Sequence, residues 1–232
     1  HITIIIGLFI AMMFTGYFFL KREDKQKYPI FPIDLLRIPV FSLSVITSLV
    51  SFVAQMLAMV SLPFFIQGVL GKNEVDTGLL LTPWPLATMI FAPLAGVLAG
   101  KINAGILGGI GLSIFAVGLF LLGSLPDDAS NMDIIWRMAI CGSGFGLFQT
   151  PNNSTIISSA PNNRSGGASG MLGTTRLLGQ MSGAAFVALL FMIFPPHGTH
   201  VCLYLGCGLA FLAAIISLLR IGKPTAAELS KS

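Results

Sequence analysis

No acidic side chain lies within any long apolar run of this chain. Asp34, Glu74, Asp76, Asp127, Asp128 and Asp133 all fall at run edges or in loops. Charge of either sign is scarce, 9% of 232 residues, where soluble domains carry about 25%. That shortage excludes an ordinary water-soluble domain. Cysteine is nearly absent as well. Cys141, Cys202 and Cys207 sit in apolar runs without metal-ligand spacing and read as small buried hydrophobes. His197 and His200 lack a third ligand, which makes a poor metal site. There is no nucleophile–base pair, no phosphate-cradling glycine loop before Lys-Ser/Thr and no HExxH, so nothing points to an enzyme.

What is present is apolar length. Hydrophobic residues make up 54% of the chain, and its mean hydropathy is +0.87. The 26 glycines and 13 prolines would break soluble helices but are tolerated in spanning ones. The fold class is an all-α, polytopic membrane protein with seven transmembrane helices. The segments are about 1–20, 40–70, 77–99, 103–125, 132–158, 166–194 and 200–220, each long enough for a ~30 Å core. Residues 21–39 form a charged loop followed by an interfacial stretch, IDLLRIPVF, and residues 221–232 a tail. The chain opens at His1, already inside an apolar run, as a piece of a longer protein would.

The basic residues set the expected orientation. With the first loop cytoplasmic, that side collects Lys21, Arg22, Lys25, Lys27, Arg37, Lys101, Arg164, Arg220, Lys223 and Lys231, against Lys72 opposite. The tail is then cytoplasmic. Scattered between apolar runs, these charges read as topology signals and not as a nucleic-acid face.

Arg137 and Arg176 remain inside spans. Arg137 follows Asp133 by four residues and can snorkel outward, as a stabiliser of that end or as a gating residue. Arg176 lies ten residues past Gly166, ~15 Å along a helix and near the bilayer midplane. An arginine there costs about 2.5–3.5 kcal/mol even on lenient scales. It should face the bundle interior or a watery cavity, either as a clamp on Asn152, Asn153 or a neighbouring hydroxyl, or as part of the transport path. Glycines at 142, 144 and 146, and at the pairs 166/170 and 179/183, suit close helix packing. Pro151 frees a carbonyl within its span, and with Asn152 makes a kinked polar patch that suits a cavity wall. Phe145, Phe148, Gln149 and Asn152 would line that wall opposite Gln55, Met56 and Met59. Aromatic and methionine surfaces with a few polar groups suit bulky apolar cations; ordinary core or lipid-facing packing is the alternative.

The run GSGFGLFQTPNNSTIISSAPNNRSGGASGMLGTTRLLGQMSG resembles the penultimate span pair of the fourteen-span drug:proton antiporters of the major facilitator superfamily. Gly144, Pro151, Asn152, Gly167, Ser169, Gly170, Arg176 and Gly179 carry the likeness. PLAGVLAGKI is similar to that superfamily's cytoplasmic loop element through Pro93, Gly96, Leu98 and Lys101, but Gly100 replaces its aspartate. Arg137 with Gly142 looks like its fourth-helix element.

The resemblance implies that 1–20 is an extra central span and 40–220 the carboxy-terminal six-helix half. Such a protein sits in the bacterial inner membrane. It exports hydrophobic or quaternary ammonium cations, as in the methyl viologen resistance type, with a proton gradient as energy source and no cofactor. Arg137, Pro151, Gly170, Arg176 and Lys101 would be structural or gating residues. The partners would be the lipid bilayer, the missing amino-terminal half and the cation itself. The coupling carboxylate would lie in the missing half, since buried acids usually carry that role. Two alternatives stand: another small solute or organic anion, which a cavity-facing Arg176 would favour, or a membrane scaffold that transports nothing.

Overall fold

The computed structural model describes Phe14 and residues 33–222. Apart from Phe14, the expected first span, the charged loop through residue 32 and the tail past Gly222 lie outside the described residues.

A 3-10 turn, Ile33–Arg37, leads into α1 (Pro39–Gly68), which starts on a proline whose missing N–H costs nothing in a first turn. Next come α2 (Glu74–Leu81) and α3 (Pro83–Ala99), then α4 (Ala104–Gly123) and α5 (Asn131–Ser158). After a short 3-10 turn at Asn162–Arg164 follow α6 (Ser165–Ile193) and α7 (Gly198–Leu219). Side chains set several starts. Asn73 accepts from the Asp76 N–H at 2.8 Å, Asn103 from Gly105 at 2.8 Å, and Ser130 forms a capping box with Asp133. The Asn73 cap starts the span at Glu74, three residues before the expected 77. Pro83 and Pro85 then interrupt it at Thr82.

Among the described residues, five segments are long and apolar enough to cross a bilayer: α1, α2–α3 taken as one, α4, α6 and α7. Of the seven expected spans, the first lies outside the described residues, and five of the other six meet that measure. The segment α5 has 28 residues but is not among the five, because Asp133, Arg137, Gln149, Asn152 and Asn153 dilute its hydropathy. It is packed against α4 on one side and α3 on the other.

The packing order runs α3–α5–α4–α7–α1–α6, with a shorter seam between α1 and α5. The core is aromatic: Phe52, Trp84, Phe115, Phe145 and Phe148 are fully buried and meet mostly edge to face at 5.4–6.0 Å. Glycine allows the close approaches. A Cβ on Gly144 would lie 2.6 Å from the Gly111 carbonyl oxygen and collide with the Phe115 amide; one on Gly142 would strike the Trp84 carbonyl. Gly179 and Gly183 likewise seat α6 on α1, whereas Gly166 and Gly170 face open space. The packing role expected for the 166/170 pair is absent within this unit.

One end of the bundle carries Arg37, Lys101, Arg164 and Arg220, the other only Lys72 among the described loop residues. At the basic end the interfacial stretch is tied down: Arg164 pairs with Asp34 at 3.0 Å, and Leu35 and Ile38 pack with Phe41, Ile156 and Met171.

Candidate functional site

The seam between α1 and α5 brings together the two faces the sequence paired. Near the basic end, the Asn152 Nδ2 donates to Ser48 Oγ at 2.9 Å and to the Ser44 carbonyl at 3.3 Å. One turn farther in, the Phe52 and Phe145 rings meet at 5.6 Å. Gln55 and Met59 continue the same face of α1, and Gln149 lies on the Asn152 face of α5. All three are half-buried, and neither glutamine amide hydrogen-bonds another described residue.

The expected wall divides in two. Phe145 and Phe148 are buried in the aromatic core, and Asn152 is fully buried with both ends of its amide engaged. These three are backing. Gln55, Met59 and Gln149 keep part of their surface exposed. Met56 turns toward α6, where its Cβ closes on Gly183.

The clamp on Asn152 comes from an arginine the sequence reading counted among the loop charges. Arg220, just past the end of α7, is 5% exposed. Its Nη1 donates to Asn152 Oδ1 and, at 2.9 Å, to Ser44 Oγ; its Nη2 donates to the Ala104 carbonyl at 2.9 Å. Burial pulls its guanidinium down to about 10, so it is still a cation at neutral pH. Every acceptor around it is neutral. The signal for this knot was present as Ser44, Ser48 and Ser51 at helical spacing in an apolar run, with a basic residue closing another.

Arg176 takes the other course. It is exposed on α6, with its guanidinium carbon 5.6 Å from the centre of the Phe52 ring, and it does not reach Asn152. Its surroundings are the outer side of the aromatic core. Arg137 does pair with Asp133, at 3.3 Å to the carboxylate and 3.1 Å to the carbonyl, and stacks on Trp136 at 4.6 Å. Pro151 is buried inside α5, and its carbonyl accepts from Thr155 Oγ1 at 2.7 Å. Gly170 is exposed on α6, and Lys101 is exposed in the turn between α3 and α4. His200 is structural, with Nδ1 2.9 Å from the Gly123 carbonyl and its ring against Phe65. Among the described residues no group of three or more His, Cys, Asp or Glu could hold a metal.

An uncovered lateral surface, a half-buried polar seam and a helix interrupted by proline suit a membrane carrier, and comparison with known proteins agrees. The chain is 59% identical over 223 residues to a protein of Escherichia coli (strain K12) named "Uncharacterized transporter YebQ", covering 96% of this chain and 49% of that one. It is 30% identical over 185 residues to "Multidrug efflux pump LfrA" of Mycolicibacterium smegmatis, covering 78% of this chain and 36% of the pump. It is 29% identical over 167 residues to "Multidrug resistance protein Stp" of Mycobacterium tuberculosis (strain ATCC 25618 / H37Rv), covering 72% and 31%. The chain thus spans about half the length of YebQ and about a third of the other two. Residues 1–184 match the Major Facilitator Superfamily, the family-like run from Gly142 to Gly183 included. With most of its length inside that match, the chain belongs to the Major Facilitator Superfamily, a family of multi-pass membrane transporters.

Proposed function

We propose that this chain is the carboxy-terminal half of a proton-coupled multidrug exporter of the fourteen-span type, moving apolar or quaternary ammonium cations by alternating access. The observation that carries the reading is the uncovered flank of the bundle. The span α6 buries 17% of its most apolar window and α2–α3 buries 22%, against 56% for α1 and 61% for α4. A second half seated against α3 and α6 would enclose a path. Gln55, Met59 and Gln149 would supply its adaptable contacts, with the ring of Phe145 as a rigid backing. The similarity to proteins named as multidrug pumps supports the substrate class. The basic end would face the cytoplasm of a bacterial inner membrane. The coupling acid would come from the other half, since the described spans hold none at depth.

The test is efflux from proteoliposomes holding the full-length protein, with ethidium or methyl viologen inside and an imposed proton gradient. Gradient-dependent efflux is expected. Flux that persists when the gradient is collapsed rules out antiport, and absence of flux for any cation rules out the drug reading. Flux of an organic anion instead would transfer the role to Arg176.

A further inference from the structure

We infer that Arg220 is a positioning residue for the inner limb of α5: it fastens the segment following Pro151 to α1 and α4 from the end of α7. The inference rests on the alternating-access reading for its role in transport, but not for its structural content.

A proline within a helix lacks the N–H that would bond the carbonyl four residues back, so α5 is weakest where Pro151 interrupts its ladder. The residue immediately beyond is Asn152, and it is held entirely from outside its own helix. Ser48 Oγ and the Ser44 carbonyl accept from its Nδ2, and Arg220 Nη1 donates to its Oδ1. The direction of these bonds leaves no freedom. Ser44 Oγ spends its proton on the Val40 carbonyl at 2.7 Å, so toward Arg220 it can only accept. Asn152 Oδ1 is likewise an acceptor, as is the Ala104 carbonyl. Three acceptors from three helices converge on one guanidinium. A forked cation serves all of them from two nitrogens, whereas a neutral amide has one donor too few and an ammonium would have to reach all three from a single nitrogen.

The space has been cleared for that fork. A Cβ on Gly108 would lie 2.8 Å from Arg220 Nη2 and 2.8 Å from Ser217 Oγ, which itself donates to the Gly105 carbonyl at 3.0 Å. Four helices therefore meet in the knot: α1 through Ser44 and Ser48, α4 through Ala104, α5 through Asn152 and α7 through Arg220. The knot includes neither α3 nor α6. It makes the basic ends of α1, α4, α5 and α7 into one body and holds the α5 limb in the seam that Gln55 and Gln149 flank. In transport, the limb would move with this body, and untying it would release the inner side of the seam.

The test uses the full-length protein with single cysteine reporters in α5, and maleimide labelling rates as the readout. Ile156→Cys reports on the limb beyond Pro151, where Ile156 is fully buried. Met138→Cys reports on the equally buried outer half of the same helix. Arg220→Gln is expected to raise labelling at position 156 at least about tenfold, as follows from losing hydrogen bonds to a charged group, while position 138 is unchanged. Arg220→Lys should fall between, and Gly108→Ala should move labelling in the same direction by displacing the guanidinium. If Arg220→Gln does not fold, Arg220→Lys and Gly108→Ala carry the test. Unchanged labelling at 156 in all three variants overturns the inference, and so does an equal rise at both reporters, which would mark a general loss of stability. Efflux by the parent protein is measured in parallel. A parent that moves no cation refutes the proposed function, yet leaves the labelling difference to be decided by itself.

Discussion

Replacing Gly144 by alanine tests the packing on which the whole bundle depends. The new Cβ would sit 2.6 Å from the Gly111 carbonyl oxygen, where a carbon–oxygen contact needs about 3.3 Å. The backbones of α4 and α5 must part by roughly 0.7 Å, the difference between those two lengths. They cannot yield locally, since Gly111 faces Gly144 with equal closeness: its own Cβ would lie 2.7 Å from the Gly144 oxygen and 2.7 Å from the Phe148 nitrogen. A gap of 0.5–1 Å forfeits about a quarter to a half of each affected dispersion contact, here those of Phe115, Phe145 and Phe148. Overpacking of this kind costs about 1–3 kcal/mol, and a clash with main chain belongs at the top of that range.

Against this, Gly→Ala within a helix contributes about 1 kcal/mol, leaving a net loss of about 2 kcal/mol. Gly208→Ala is the control, because an added Cβ there meets nothing within 4 Å; it should only gain, by up to about 1 kcal/mol. The two variants should differ by about 3 kcal/mol, or roughly 6 °C in Tm at about 2 °C per kcal/mol. Thermal unfolding of the purified protein in detergent, followed by near-UV circular dichroism, measures this. Equal Tm values for the two variants would refute the close approach of α4 and α5.

Two further outcomes follow from the same geometry. Gly170→Ala meets open space and should leave Tm unchanged or slightly raised in the same assay, despite its place in the family-like run. A fall matching that of Gly144→Ala would put Gly170 in a packed interface. Asp133→Asn removes a partly exposed ion pair with Arg137 but keeps an oxygen for the Ser130 cap, so it should lower Tm far less than Gly144→Ala does. A loss as large as that of Gly144→Ala, measured by the same unfolding curves, would mean that Arg137 depends on that charge far more than the 41% exposure of the Asp133 side chain implies.

Much of the architecture could be read from chain order. Proline at residue 39, Asn73 and Asn103 as caps, and the Ser130/Asp133 box start helices within a few residues of the expected positions. The pairing of the second and fifth segments along the Asn152 seam was legible because both carry polar residues at helical spacing in apolar surroundings. The role of each arginine was not. Arg176 was expected to clamp Asn152 or to face a cavity; it does not reach Asn152 and lies on an open flank over Phe52. Arg220, grouped with loop charges, is the buried one. Phe145 and Phe148 were expected on a cavity wall and turn inward to the core.

The sequence by itself determined that the chain is helical, where its apolar segments start and stop, and which end collects positive charge, because these depend on local composition, caps and loop residues alone. Only the tertiary structure decided which face of each helix is inside. In water, polar and apolar stripes mark that choice; here the helices are apolar all round, and lipid is as apolar as the core. The inward face is then selected by steric fit, by where glycine lets main chains touch and where a guanidinium finds three acceptors at once. The acceptors of that guanidinium lie 68 to 176 positions before it in the chain, and both conditions exist only when the helices have packed.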